Sequence, residues 1–166
     1  MSLFPADILR QAETLVALAA TKGLKLATAE SCTGGLVAAV LTSIPGSSTS
    51  LDRGFVTYSN EAKTEMIDVP AGLLAQYGAV SAPVARAMAR GAIARSSASV
   101  SVSITGVAGP GGGSREKPVG LVHFAAVGPE GLVHVEHRFG DIGREEIRLA
   151  SVRIALSLLA NRLDPS

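Results

Sequence analysis

The sequence predicts an α/β fold: a three-layer α/β/α sandwich around a mixed sheet of about five strands. Strand-like and helix-like segments alternate through the first two-thirds of the chain, as βαβ units do. Two strand patterns then meet at Gly128-Pro129-Glu130-Gly131, a tight turn that implies a late antiparallel β-hairpin. The apolar share is 47%, drawn mainly from Ala, Val and Leu, while aromatic residues make up only 4%. Small side chains of this kind let helices pack closely on a sheet. At 166 residues the chain reads as a single domain, residues 1–166, able to bury roughly two-thirds of its unfolded surface.

Taken in order, Pro5 opens a helix whose Ile8, Leu9, Ala12, Leu15, Val16 and Ala19 share one face. Thr21-Lys22-Gly23 closes it with a cation and a glycine. A short apolar strand, Leu24 to Ala29, enters the polar knot Glu30-Ser31-Cys32-Thr33-Gly34-Gly35, and a helix from Leu36 to Leu41 follows. Ser43 to Ser50 is a Ser/Pro/Gly loop. Leu51 to Tyr58 is a second strand, with Phe55, Val56 and Tyr58 favouring extended backbone. Asn60 to Ile67 reads as helix, Ala71 to Gln76 as a short turn, and Ser81 to Ser96 as a long alanine-rich helix capped by Ser81. Val100, Val102 and Ile104 alternate along a third strand, Val100 to Thr105. A glycine-rich loop spans Gly106 to Ser114, the hairpin strands are Val119 to Val127 and Leu132 to Phe139, and Glu145 to Leu163 is the last helix. No internal repeat and no linker interrupts this order.

Several functions are disfavoured by composition. Net charge is +1 with both signs dispersed, so no basic stripe suggests nucleic acid or an anionic membrane. No apolar stretch approaches the roughly 20 residues of a membrane span, and Met1–Arg10 does not resemble a signal peptide. The single cysteine, Cys32, rules out an internal disulfide and a thiolate metal cage, and no His/Asp/Glu spacing suggests a metal. A soluble cytoplasmic protein is the expectation.

Chemistry gathers where strands end. Ser31 sits at a strand-to-helix turn, beside backbone N–H groups that lack intrahelical partners. Such a hydroxyl suits attack on a carbonyl whose oxyanion needs donors, and Gly34 and Gly35 would leave those donors unshielded. Ser31 or Thr33 capping the helix is the competing reading. Tyr58-Ser59-Asn60 follows the second strand and Thr105-Gly106 the third. If the three strands are parallel, all three groups meet at the carboxyl edge of the sheet, where α/β folds bind ligands.

Lys63 would lie in the first turn of a helix capped by Asn60, a position that disfavours a cation by about 0.3–1 kcal/mol. A lysine base needs its ammonium form destabilised in this way, and working near neutrality requires roughly 4 kcal/mol, mostly from desolvation. The alternative is a solvated lysine paired with Glu61 or Glu65. Gly106 to Ser114 matches neither a P-loop nor a dinucleotide fingerprint, and fits either an anion-binding nest or a flexible loop. His123 and His134 lie in the hairpin strands, with His137 on the opposite face from His134, and none is placed for a triad. Lys63 is therefore the better base for Ser31.

With Thr28–Gly35, Thr57–Lys63 and Thr105–Gly112 together, the chain resembles the CinA C-terminal domain family, in its stand-alone form the nicotinamide-nucleotide amidases (PncC-like). Gly78-Ala79-Val80-Ser81 and Lys117-Pro118-Val119-Gly120 extend the likeness, which runs from the first helix to the last. The resemblance implies hydrolysis of nicotinamide mononucleotide to nicotinate mononucleotide and ammonia, in pyridine nucleotide recycling. It carries the nucleophile to Ser31, the base to Lys63 and an adjacent catalytic tyrosine to Tyr58. It also implies substrate contacts from Glu30, Cys32, Thr33, Gly34, Gly35, Asn60, Thr105, Gly106, Gly109, Gly111 and Gly112. Neither cofactor nor metal is implied, the partner is the nucleotide substrate, and homo-oligomerisation is left open. Two rivals accompany this reading: a nucleotide-binding or regulatory module with little turnover, and an enzyme whose nucleophile is Cys32.

Overall fold

The structure is a computed structural model that describes residues 2–165; the two terminal residues of the expected 1–166 domain lie outside the described residues. Five strands form one sheet in the order β2-β1-β3-β4-β5: β1 Leu26–Glu30, β2 Leu51–Val56, β3 Val100–Gly106, β4 Leu121–Gly128 and β5 Gly131–Arg138. β1 pairs in parallel with β2 and β3, while β3–β4 and β4–β5 are antiparallel, so the sheet is mixed as expected. The hairpin closes at the pair Gly128–Gly131, with Pro129 and Glu130 forming its two-residue turn.

The described residues form six α-helices: α1 Ala6–Lys22, α2 Leu36–Thr42, α3 Asn60–Ile67, α4 Ala71–Tyr77, α5 Ala82–Ala94 and α6 Arg144–Leu163. α1, α2 and α6 share one face of the sheet, where Leu26, Val100, Val102, Ile104, Val122 and Phe124 meet Ile8, Leu15, Val40 and Leu159. The other face carries smaller residues. Ala27 and Ala29 of β1 and Ala125 of β4 pack towards α5, helped by Val84, Met88 and Ala92. Ser101 and Ser103 donate to Ala89 O and Ala85 O (2.7 and 2.6 Å), so two sheet hydroxyls bond the helix backbone itself. α3 meets α5 just as closely, since a Cβ on Gly91 would overlap Ile67 O. The alanine-rich composition thus becomes close contact, which dense interiors demand.

Element boundaries move where local bonds compete. Leu24 does not start β1: Gly23 takes a left-handed conformation, and the N–H groups of Gly23 and Leu24 donate to Ala20 O and Ala19 O, extending the end of α1. β2 stops at Val56 rather than Tyr58 because the carbonyls of residues 57–59 turn to another partner, described below. The expected turn at Ala71 is a full helix, α4. Ser81 caps α5 as expected, its Oγ accepting from Val84 N at 3.4 Å.

The chain leaves β1 through α2 to reach β2, then crosses by α3, α4 and α5 on the opposite face to reach β3. This reversal opens a crevice at the carboxyl ends of β1 and β3, the usual ligand position in such sheets. Among the described residues, no helix is long and apolar enough to cross a membrane.

Candidate active site

That crevice holds a cleft of about 290 Å³ lined by Ser31, Cys32, Tyr58, Asn60, Lys63, Ala79, Val80, Thr105, residues 106–109, Gly111, Gly112 and Arg144. All three polar strand ends therefore converge, because β1, β2 and β3 run parallel. A groove of about 410 Å³ between α3 and α4 shares Asn60 but is otherwise lined by Glu61, Thr64, Glu65, Ala71, Leu74 and Ala75, with no paired nucleophile and base.

Lys63 is among the largest fully buried side chains described, at 1% exposure. Helical side chains lean toward the N-terminus of their helix, so Lys63 reaches back over the start of α3. Its Nζ lies 3.2 Å from Ser31 Oγ and 2.8 Å from Thr57 O, with Tyr58 O and Ser59 O at 3.3 and 3.5 Å. The helix cap is Ser59, not Asn60: Ser59 Oγ accepts from Ala62 N at 3.0 Å, which frees the Asn60 side chain for the cleft. A solvated pairing of Lys63 with Glu61 or Glu65 is overturned, since the side chain is buried and makes no ion pair.

Burial lowers the pKa of Lys63, the dominant influence on it. A Cys32 thiolate would oppose that, but burial pushes the Cys32 thiol up to about 12, so near neutrality the thiolate is essentially absent. The three carbonyls favour the ammonium form, but only Thr57 O is at close range, and desolvation prevails. A neutral amine has two N–H groups for carbonyls and a lone pair for the Ser31 hydroxyl. The same burial argues against Cys32 as nucleophile, because the thiol form attacks poorly.

Glu30 does not line the cleft. Its carboxylate is 1% exposed and accepts from Thr33 Oγ1 (2.7 Å), Val37 N (2.9 Å) and Ala38 N (3.1 Å). The positive end of α2, expected to face a ligand, is thus capped by a side chain from the end of β1. Thr33, Gly34 and Gly35 are also set back from the cleft. Gly34 and Gly35 have φ of 57° and 100°, and a Cβ at either would crowd Arg148 Nη2 or Val56 Cγ2 at 3.2 and 3.3 Å. These glycines close the turn rather than expose it. Ser31 N and Gly34 N donate to Ile104 O and Ser31 O (2.9 and 3.0 Å), leaving the Cys32, Thr33 and Gly35 N–H groups as the turn's donors outside these bonds, and of these three residues Cys32 lines the cleft.

Two arginines of α6 complete the surroundings, and sequence reading missed both. Arg148 donates to Cys32 O and Thr33 O (3.1 and 3.3 Å), bracing the Ser31 turn from behind. Arg144 donates to Gly109 O at 2.6 Å and to Tyr58 OH at 3.4 Å. Tyr58 is 63% exposed and gives Lys63 its backbone carbonyl, while its phenol stands beside Arg144. Thr105 lines the cleft, but its hydroxyl donates to Ala79 O at 2.9 Å. Gly106 and Gly109 are packed against Val122 and Val119, whereas Gly111 and Gly112 have open space where a Cβ would stand. His123 and His134 bond each other at 3.0 Å between β4 and β5, and His137 packs on Phe124 and Phe139.

Fold and site define an α/β/α protein with a buried serine–lysine pair at a strand-to-helix turn. The model of the CinA C-terminal domain matches residues 9–163, and the chain belongs to that family. It is 48% identical over 153 residues to a "CinA-like protein" of Parasynechococcus marenigrum, covering 92% of this chain and 36% of that protein. A "CinA-like protein" of Anaeromyxobacter sp. is 51% identical over 148 residues, 89% of this chain and 36% of that protein. The chain thus spans about a third of the length of the curated relatives it matches. A solved structure from Agrobacterium tumefaciens, described as competence/damage inducible protein CihA, superposes with a TM-score of 0.94 at 55% identity, covering 96% of this chain and 98% of that one. A CinA superfamily protein of Klebsiella pneumoniae gives 0.90 at 32% identity, covering 96% and 99%.

Proposed function

We propose that the protein hydrolyses the carboxamide of nicotinamide mononucleotide, giving nicotinate mononucleotide and ammonia, by a serine–lysine mechanism. The observation that carries this reading is the Lys63 amine, buried and 3.2 Å from Ser31 Oγ. The resemblance of the three strand-end motifs supplies the substrate, and a cleft of about 290 Å³ suits a mononucleotide.

In the first half-reaction the Lys63 lone pair takes the Ser31 proton as Oγ attacks the carboxamide carbon. The developing oxyanion is held by the backbone N–H of Cys32, which lines the cleft beside Ser31, such a donor being worth about 3–4 kcal/mol. As the C–N bond breaks, the Lys63 ammonium returns its proton to the departing nitrogen, and ammonia leaves. Lys63 then takes a proton from the water that attacks the nicotinoyl ester and passes it to Ser31 Oγ as the ester bond breaks, releasing the acid and restoring the Ser31 hydroxyl and the neutral amine. Lys63 serves both proton transfers because it is the titratable group within reach of Ser31 Oγ. Tyr58 shapes the mouth of the cleft, and Arg148 keeps the turn in place.

Incubation with nicotinamide mononucleotide tests this directly. Ammonia and nicotinate mononucleotide should form in equal amounts with wild type and vanish with Ser31→Ala. Tight binding without ammonia release would instead make the protein a nucleotide-binding module.

A further inference from the structure

The carboxylate of Glu30 accepts from Val37 N and Ala38 N, so the positive end of α2 is already answered by a negative charge. A positive field at the Ser31 turn must therefore come from elsewhere. Arg148, a half-buried residue of α6, supplies one from behind the turn and does not line the cleft. Its Nε donates to Cys32 O at 3.1 Å and its Nη2 to Thr33 O at 3.3 Å. Among the described residues it makes no ion pair, so no carboxylate in contact cancels its charge. The fit is close, since a Cβ on Gly34 would stand 3.2 Å from Nη2.

These bonds lead through the turn to the cleft. In a planar trans peptide the C=O and N–H groups point in opposite directions. The peptide whose oxygen is Thr33 O carries the Gly34 N–H on its other side, and that N–H donates to Ser31 O at 3.0 Å. The peptide of Ser31 O in turn carries the Cys32 N–H, the donor beside the nucleophile. Two peptide units in series thus join a fixed cation to the oxyanion donor, and hydrogen bonds chained in this way polarise one another.

We propose that Arg148 is a positioning residue whose guanidinium, acting through these two peptides, aims and polarises the Cys32 N–H and so tightens its hold on the oxyanion. It does this without touching the substrate. The role rests on the amidase reading and assigns the source of positive charge at the turn. Because the charge it answers develops only during reaction, its benefit falls on the transition state and not on bound substrate.

Kinetics and binding together test this role. Ammonia release from nicotinamide mononucleotide is compared for wild type, Arg148→Lys, Arg148→Gln and Arg148→Met, with thermal melts to verify folding. Calorimetry compares nucleotide binding by Ser31→Ala and Ser31→Ala/Arg148→Met. The Met variant should lose roughly ten- to a hundredfold in kcat, part of what deleting an oxyanion donor costs, with KM and nucleotide binding unchanged. Lys keeps charge without the fork and should recover part of that rate, whereas Gln keeps a donor without charge and should resemble Met. A folded Met variant with the wild-type kcat overturns the role and leaves the amidase reading standing. Binding lost together with rate also overturns it, making Arg148 a structural brace for the turn. If the Met variant does not fold, the other two decide: Lys above Gln supports the role, and Gln equal to or above Lys overturns it. If wild type releases no ammonia, the amidase reading fails and this role with it.

Discussion

Lys63 Nζ and Ser31 Oγ lie 3.2 Å apart although 32 positions separate them in the chain. The distance results from two parallel strand ends: Glu30 pairs with Val56, so the residues that follow β1 and β2 leave the sheet side by side. Thr57 N donates to Glu30 O at 2.9 Å and extends this registration one step beyond β2. α3 then brings Lys63 back over its own start, and the carbonyls of residues 57–59 receive the amine. The pairing is therefore a product of the sheet and the helix start together.

Ser31 is expected to be indispensable and Cys32 dispensable. Ser31→Ala should lower turnover by several powers of ten while nucleotide binding persists, the pattern of a transition-state role. Cys32→Ala should keep at least about a tenth of the activity, because the thiol is buried and its pKa is pushed up to about 12. Steady-state kinetics of the two variants decide the point, and the reverse ranking hands the chemistry to Cys32.

A buried lysine leaves a mark on stability as well. Its folded-state pKa lies below the unfolded value of 10.5, so between those two values the unfolded chain binds more protons than the folded one. Stability should therefore rise with pH through that window and flatten above it. Denaturant titrations of wild type and Lys63→Met across pH should show wild type losing ground to the variant as pH falls from about 10.5. A gap independent of pH would mean that Lys63 titrates alike in both states.

Glu30 should behave as a structural residue. Glu30→Ala removes the acceptor of two α2 amides and the Thr33 hydroxyl, so a loss of about 3 kcal/mol in urea unfolding is expected. A stable Glu30→Ala protein with only a raised KM would make this carboxylate a substrate contact instead.

Much of this site was legible in the sequence, and the exceptions share a cause. Ser31, Tyr58, Lys63, Thr105 and the glycines from Gly106 onward lie at strand ends or just beyond them, so their convergence follows once the strands are parallel. Glu30, Thr33, Gly34 and Gly35 belong to the same motif, yet they serve α2 and the turn, because a buried carboxylate bonds the nearest orphan amides. That outcome depends on the turn's geometry, which spacing does not give. Arg144 and Arg148 come from the far end of the chain, and only the packing of α6 near the Ser31 turn brings them in. Their one local signal was two cations at the start of a helix, against the dipole. The cap at Ser59 rather than Asn60 is a one-residue choice between two good capping side chains.

The pH–rate profile of wild type beside Lys63→Arg tests the serine–lysine mechanism most directly. Lys63 must be neutral to accept the Ser31 proton, so wild-type activity should rise with pH through its lowered pKa and then level. Arginine keeps the charge and approximate reach but stays protonated, so a folded Lys63→Arg protein should be nearly inactive at every pH. A folded Lys63→Arg protein with near-normal rates and the wild-type profile would contradict the mechanism and return the role of base to another group.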